Sequence, residues 1–126
     1  MTSTTATRPQ NIAELKEVND LPIVIANSQG LITYINDCFE QVLGWSQEDV
    51  SGQLITMILP SSFRDSHNLA FSRFQASEKA TVLNHPLELM TITKDQEEVL
   101  TEHYIIAEKI EDDWLFGAVL RPLAEQ

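Results

Sequence analysis

Apolar residues recur along this chain with two periods, about two and about 3.6, and the changes between them mark out the elements. Residues 22–26 and 31–35 are short runs rich in β-branched side chains. Between them Asn27-Ser28-Gln29-Gly30 predicts a tight hairpin, with the glycine taking the positive φ. Asn36 stops the second strand and is placed to cap a helix on which Phe39, Val42 and Leu43 share one face and which Gly44 can end. Ser46, with Asp49 three residues on, predicts another capped turn closed by Gly52, and residues 54–59 continue as a short buried helix.

Pro60-Ser61-Ser62 opens the longest predicted helix, which runs to about Ser77 and carries Phe63, His67, Ala70, Phe71 and Phe74 on its inner face. Three further strands follow at 82–93, 98–110 and 114–121, joined at Lys94-Asp95-Gln96 and Glu111-Asp112-Asp113. Both alternating sets of the last strand are fairly apolar, so it belongs in the middle of a sheet, and Pro122 should end it. Before all of this, residues 1–10 are Thr/Ser-rich and aperiodic and read as a disordered tail. Residues 11–20 read as a short amphipathic helix whose Ile12, Leu15 and Val18 stripe must be buried on the chain's own sheet or on a second subunit.

The 126 residues suffice for one domain, here 21–122 with a C-terminal tail at 123–126, and 43% hydrophobic residues suffice for one core. No apolar run reaches membrane-spanning length and no secretory pattern opens the chain, so a cytoplasmic protein is expected. A formal charge of −11 argues against nucleic acid as a partner. The single cysteine, Cys38, excludes an internal disulfide and reads as a small apolar filler beside Phe39. With no nucleophile motif, no phosphate-cradling loop and only 4 glycines, an enzyme is not expected.

The strand running into Asn36, Phe39, Gly44 and Trp45 resembles the signature of PAS sensory domains. The resemblance continues in the family's order through Ser46, Glu48, Asp49, Val50, Gly52 and Pro60 to the Lys94-Asp95 turn. It implies an α+β PAS fold, a five-stranded antiparallel sheet with short helices over one face, and a sensing or signal-transmitting role. Three departures stand out. Gln96 replaces a usual glycine, Pro122 interrupts the usual link to a C-terminal helix, and Ile55 occupies the position of the reactive cysteine of flavin photoreceptors, whose photochemistry is thereby excluded.

Within the family the chain looks like the haem sensors, the FixL-type oxygen-sensor kinases and the direct-oxygen-sensor phosphodiesterases. That likeness makes His67 the proximal ligand of a b-type haem and Arg73 the partner of a propionate. It places His85 at the exchangeable distal ligand, and Val99, Thr101, His103 and Ile105 on the inward face of their strand. His103 and Ile105 match apolar distal residues, so His103 departs from the pattern, as does Leu87 where an oxygen-contacting Arg is usual. The best single ligand is haem, for gas or redox sensing, with His67 and His85 as metal ligands and His103 as another possible axial group. The alternatives are an unoccupied or small-molecule pocket in a cofactor-free module for dimerisation or docking, and zinc on the three histidines, which lacks a fourth ligand. A homodimer and a signalling partner such as a histidine kinase complete the expectation.

Overall fold

The computed structural model describes residues 9–60 and 87–123. Helix α1 (Ile12–Lys16) precedes strands β1 (Ile23–Ala26) and β2 (Ile32–Ile35). Helices α2 (Asp37–Leu43) and α3 (Gln47–Val50) and a 3-10 turn at Ile55–Ile58 follow, then strands β3 (Leu87–Ile92), β4 (Glu98–Ile110) and β5 (Asp113–Pro122). The strands form one antiparallel sheet in the order β2-β1-β5-β4-β3, so β5 is central as its two apolar faces predicted. The longest predicted helix, with His67 and Arg73, and the start of the third strand, with His85, lie outside the described residues.

Two apolar layers sandwich the sheet. On the inner face Val24, Ile35, Ala118 and Leu120 meet Phe39, Leu43, Val50 and Ile58 from the helices and the 3-10 turn. On the outer face Ile23, Ile25, Ile106 and Val119 meet Ile12 and Leu15 of α1. The stripe of α1 is therefore buried by its own chain, with Leu15 at 0% exposure, and α1 lies on the face opposite the other helices. The amide of Ile12 also donates to Glu108 Oε1 at 2.8 Å, which ties the free end of α1 to β4.

Gly117 is what lets α1 approach so closely. A Cβ built there would collide with Leu15 Cδ2 and would stand 3.2 Å from Ile12 Cδ1. Leu15 is fully buried, and in a close-packed interior its Cδ2 can move away only by displacing neighbours. Gly117→Val is expected to destabilise the domain by about 1–3 kcal/mol through overpacking. Because the collision falls on α1, the variant should also be cut faster by trypsin at Lys16, which lies in the last turn of α1. Wild-type cleavage kinetics in the variant would show that α1 does not rest on Gly117.

The turns resolve one departure of the sequence from the family it resembles. Thr93 N–H donates to Glu97 O at 2.9 Å, closing a three-residue loop of Lys94, Asp95 and Gln96. Gln96 has φ +71°, the left-handed conformation that ends such loops and that glycine adopts without strain. The geometry of a glycine turn is kept and glutamine bears the strain. Gln96→Gly is expected to raise stability by about 0.5–1 kcal/mol, the relief of left-handed strain less the extra entropy of an unfolded glycine. Urea unfolding measures it, and an unchanged midpoint would show that Gln96 is unstrained. The β4–β5 connection is tighter than predicted: Glu111 (φ +52°) and Asp112 (φ +70°) alone make a two-residue turn, and Asp113 already pairs with Ile110.

Other differences are local. Leu54, expected to open a buried helix, is 56% exposed, and the helix is a single 3-10 turn. The last strand does end at Pro122, which is its final residue and stands opposite Thr101, and Leu123 N–H still donates to Leu100 O beyond it. The outer edge of β2 is closed by the segment after α3: Gly52 N–H donates to Ile32 O at 2.9 Å, Ile32 N–H to Gln53 O at 2.8 Å and Ile55 N–H to Gly30 O at 2.8 Å.

Candidate functional site

The first part of the site is the junction at Asn36. Its φ and ψ are extended and its Oδ1 accepts from Phe39 N–H at 3.0 Å, the N-cap predicted from sequence. The same oxygen accepts from Ile23 N–H of β1 at 3.0 Å. Its Nδ2 donates to Val18 O at 3.0 Å and Leu21 O at 2.9 Å, in the link between α1 and β1. One buried amide thus joins three segments that a linear reading keeps apart, and all four of its hydrogen-bonding positions are filled.

The second part is a clamp between the end of α2 and the β3–β4 turn. Gly44, at φ +86°, ends α2 in the left-handed conformation predicted for it. Lys94 N–H donates to Leu43 O at 3.0 Å, and the indole N–H of Trp45 donates to Ile92 O at 2.9 Å. Asp49 caps α3 reciprocally with Ser46 and receives Lys94 Nζ at 2.9 Å. The Ser46 amide, then the Lys94 ammonium, hold the Asp49 carboxyl below its ordinary range. The signature residues Asn36, Gly44, Trp45 and Lys94 are accounted for by folding.

The third part is polar and interior. Alternation along β4 puts Thr101, His103 and Ile105 on the inner face, as the family resemblance implied, and Ile105 packs against the inner core. His103 is 5% exposed, and Thr101 and Thr91 of β3 are fully buried. Thr101 Oγ1 lies 2.7 Å from Thr91 Oγ1, 2.8 Å from His103 Nε2 and 2.9 Å from Leu89 O, to which it donates. His103 Nε2 is also 3.2 Å from Thr91 Oγ1. Thr101 is the centre of the group, joined to a hydroxyl, a ring nitrogen and a carbonyl.

Of the expected site residues, the structure brings His103 and Ile105 to this face, while His67, Arg73 and His85 lie outside the described residues. Leu87 pairs with His103 across β3 and β4, half-buried, where the haem sensors carry an arginine. Sequence reasoning missed Thr91 altogether. The pattern that would have found it is strand register: Thr91 alternates with Leu87 and Leu89, which stand opposite His103 and Thr101. Cys38 is half-buried, and burial followed by the nearby Asp20 charge pushes its thiol above the ordinary range, which suits a filler better than a nucleophile. Among the described residues there is no group of three or more side chains able to hold a metal ion, and no helix is long and apolar enough to cross a membrane.

Comparison with known proteins identifies the architecture. No curated protein sequence matches the chain. Among solved structures it is similar to a PAS domain from Desulfitobacterium hafniense, with a TM-score of 0.69 and 19% identity over 86% of this chain and 97% of that one. It is similar to a PAS domain from a two-component sensor histidine kinase, with a TM-score of 0.65 and 12% identity over 82% and 85% of the two chains. It is also similar to the PAS domain of the Cronobacter turicensis quorum-sensing receptor RpfR, solved with C12:0, with a TM-score of 0.65 and 16% identity over 86% and 98%. At such identities these structures share the fold. The family model described as "PAS domain" matches residues 20–121, and the chain belongs to the PAS domain family.

Proposed function

We propose that this PAS signalling domain is a sensor whose interior receives a small molecule against the Thr91, Thr101 and His103 group. The observation that carries the reading is the burial of three polar side chains on the inner face of β3 and β4, where valine and leucine would fill similar space. Desolvating hydroxyls and a ring nitrogen gains little stability over an apolar core, whereas a satisfied polar group confers recognition. The C12:0 in the RpfR neighbour supports reading the interior of this fold as a place for small molecules.

The specific form of this reading is b-type haem, with His67 as axial ligand, Arg73 beside a propionate, His85 opposite and Ile105 on the wall. Bound haem would supply a redox-active iron able to take a diatomic gas. His103 fits poorly as an axial ligand, because its Nε2 is already 2.8 Å from Thr101 Oγ1. Titration of the full chain with haemin should give a stoichiometric Soret band that His67→Ala abolishes and His103→Ala keeps. No band with wild type rejects haem, and if neither haemin, flavin mononucleotide nor dodecanoic acid raises the melting temperature, the small-molecule reading of these candidates falls too.

A second reading, a cofactor-free docking or dimerisation module, is favoured by the complete burial of Thr91 and Thr101, whose hydroxyls already meet each other, His103 and Leu89 O. The likeness to a PAS domain of a two-component sensor histidine kinase supports such a kinase as the partner. The homodimer belongs to this reading as well, through a surface other than the α1 stripe, since Ile12 and Leu15 are already covered. Sedimentation of the wild type as a monomer at high concentration would reject it.

A further inference from the structure

We propose that Thr101 fixes the tautomer of His103, with the ring hydrogen on Nε2, and so closes that nitrogen to metal ions. The inference deepens the sensor reading by naming the chemistry of its polar group.

It follows from counting protons. A threonine hydroxyl carries one hydrogen and two lone pairs. The Thr101 hydroxyl gives its hydrogen to Leu89 O at 2.9 Å. Its oxygen then meets Thr91 Oγ1 at 2.7 Å and His103 Nε2 at 2.8 Å only as an acceptor. Two lone pairs facing each other at 2.8 Å would repel, so Nε2 carries a hydrogen and donates it. Thr91 supplies the second donation, and its oxygen, 3.2 Å from Nε2, shares the ring hydrogen weakly.

Once Nε2 is the donor, the neutral ring keeps its lone pair on Nδ1, because the two nitrogens take opposite roles. Any group that engages the ring at Nδ1, whether from the chain or from a ligand, must then donate a hydrogen bond. Hydroxyl, amide and protonated acid groups meet that condition, and an ionised carboxylate does not. A metal ion at Nε2 would have to remove the ring hydrogen and break the contact with Thr101, which is why the group is unsuited to hold iron or zinc through that atom. Thr101 acts here as a positioning residue: it sets the state of His103 and is sealed from any ligand itself.

The test reads the ring directly and needs no ligand. Two-bond proton–nitrogen correlation spectra of the histidine-labelled full chain, with His103 assigned by its loss in His103→Ala, should show the neutral tautomer protonated at Nε2. Thr101→Val, close to isosteric, should shift the ring toward the form protonated at Nδ1, and Thr101→Ser should restore the wild-type pattern. A wild-type ring protonated at Nδ1, or at both nitrogens, overturns the proposal, as does one pattern shared by all three proteins. A haemin Soret band abolished by His103→Ala would also overturn it. A failure of every ligand to bind would reject the sensor reading but leave these spectra, and the tautomer, as they are.

Discussion

Asn36→Ala is expected to lower the unfolding free energy by about 3 kcal/mol or more, summing an N-cap loss of about 1 kcal/mol and buried backbone groups left without partners at about 1–3 kcal/mol each, with incomplete additivity. The groups are Ile23 N–H, Phe39 N–H, Val18 O and Leu21 O, all served by this one side chain. Against a total stability of about 5–15 kcal/mol, such a loss leaves a domain that unfolds on mild heating or in little urea. Asn36→Asp provides a second reading. It keeps the acceptors but aims a carboxyl at the two carbonyl oxygens, where the ionised form is repelled and the protonated form can still donate once. Its folded-state pKa is therefore raised above the unfolded value of about 3.9. Stability due to the protonated form is present below that value and lost as pH rises through the folded pKa. Urea midpoints across pH should show Asn36→Asp falling away from wild type toward neutral pH. An Asn36→Ala protein with a wild-type midpoint would mean that water replaces all four contacts.

Phe39→Ala carries the other large effect, about 3–5 kcal/mol, because it removes a fully buried ring and leaves a cavity that fixed neighbours cannot close. Phe39 belongs to the inner core with Val24, Ile35, Leu43 and Leu120, so the loss falls where α2 meets the sheet. The contrast with Val42 makes the prediction specific. Val42 shares the predicted apolar face of α2 but is 41% exposed, so Val42→Ala should change the melting temperature little. Thermal unfolding of both variants checks the pair, and equal shifts would show that α2 is not oriented as described.

The fold was legible wherever one local rule decided the outcome. The β1–β2 hairpin, the Asn36 cap, Gly44 in the left-handed conformation and the Ser46–Asp49 capping box are all read within a few residues, and each forms. The central position of β5 was also legible, since a strand buried on both faces must be apolar on both. What escaped depends on partners distant in sequence. The Ile12 and Leu15 stripe announced burial but not against what, and the answer lay in the missing side chain of Gly117, about a hundred residues on. Gln96 stood out as a departure because propensity ranks glycine first there, yet the loop holds glutamine in the left-handed conformation. At the site, alternation along β4 reached Thr101 and His103, but Thr91 joins them only through the register of β3, which no single-strand pattern contains.

The closed edge of β2 has a consequence for how the molecule behaves in company. A sheet with a bare outer strand is a template on which other chains can add strands, and so a starting point for domain exchange and fibrils. Here the backbone of residues 52–55 already occupies the sites on Gly30 and Ile32 that an incoming strand would need. Lateral growth of the sheet beyond β2 requires that segment to peel away first, so aggregation from this side is governed by local opening next to the exposed Leu54 rather than by encounter of folded molecules.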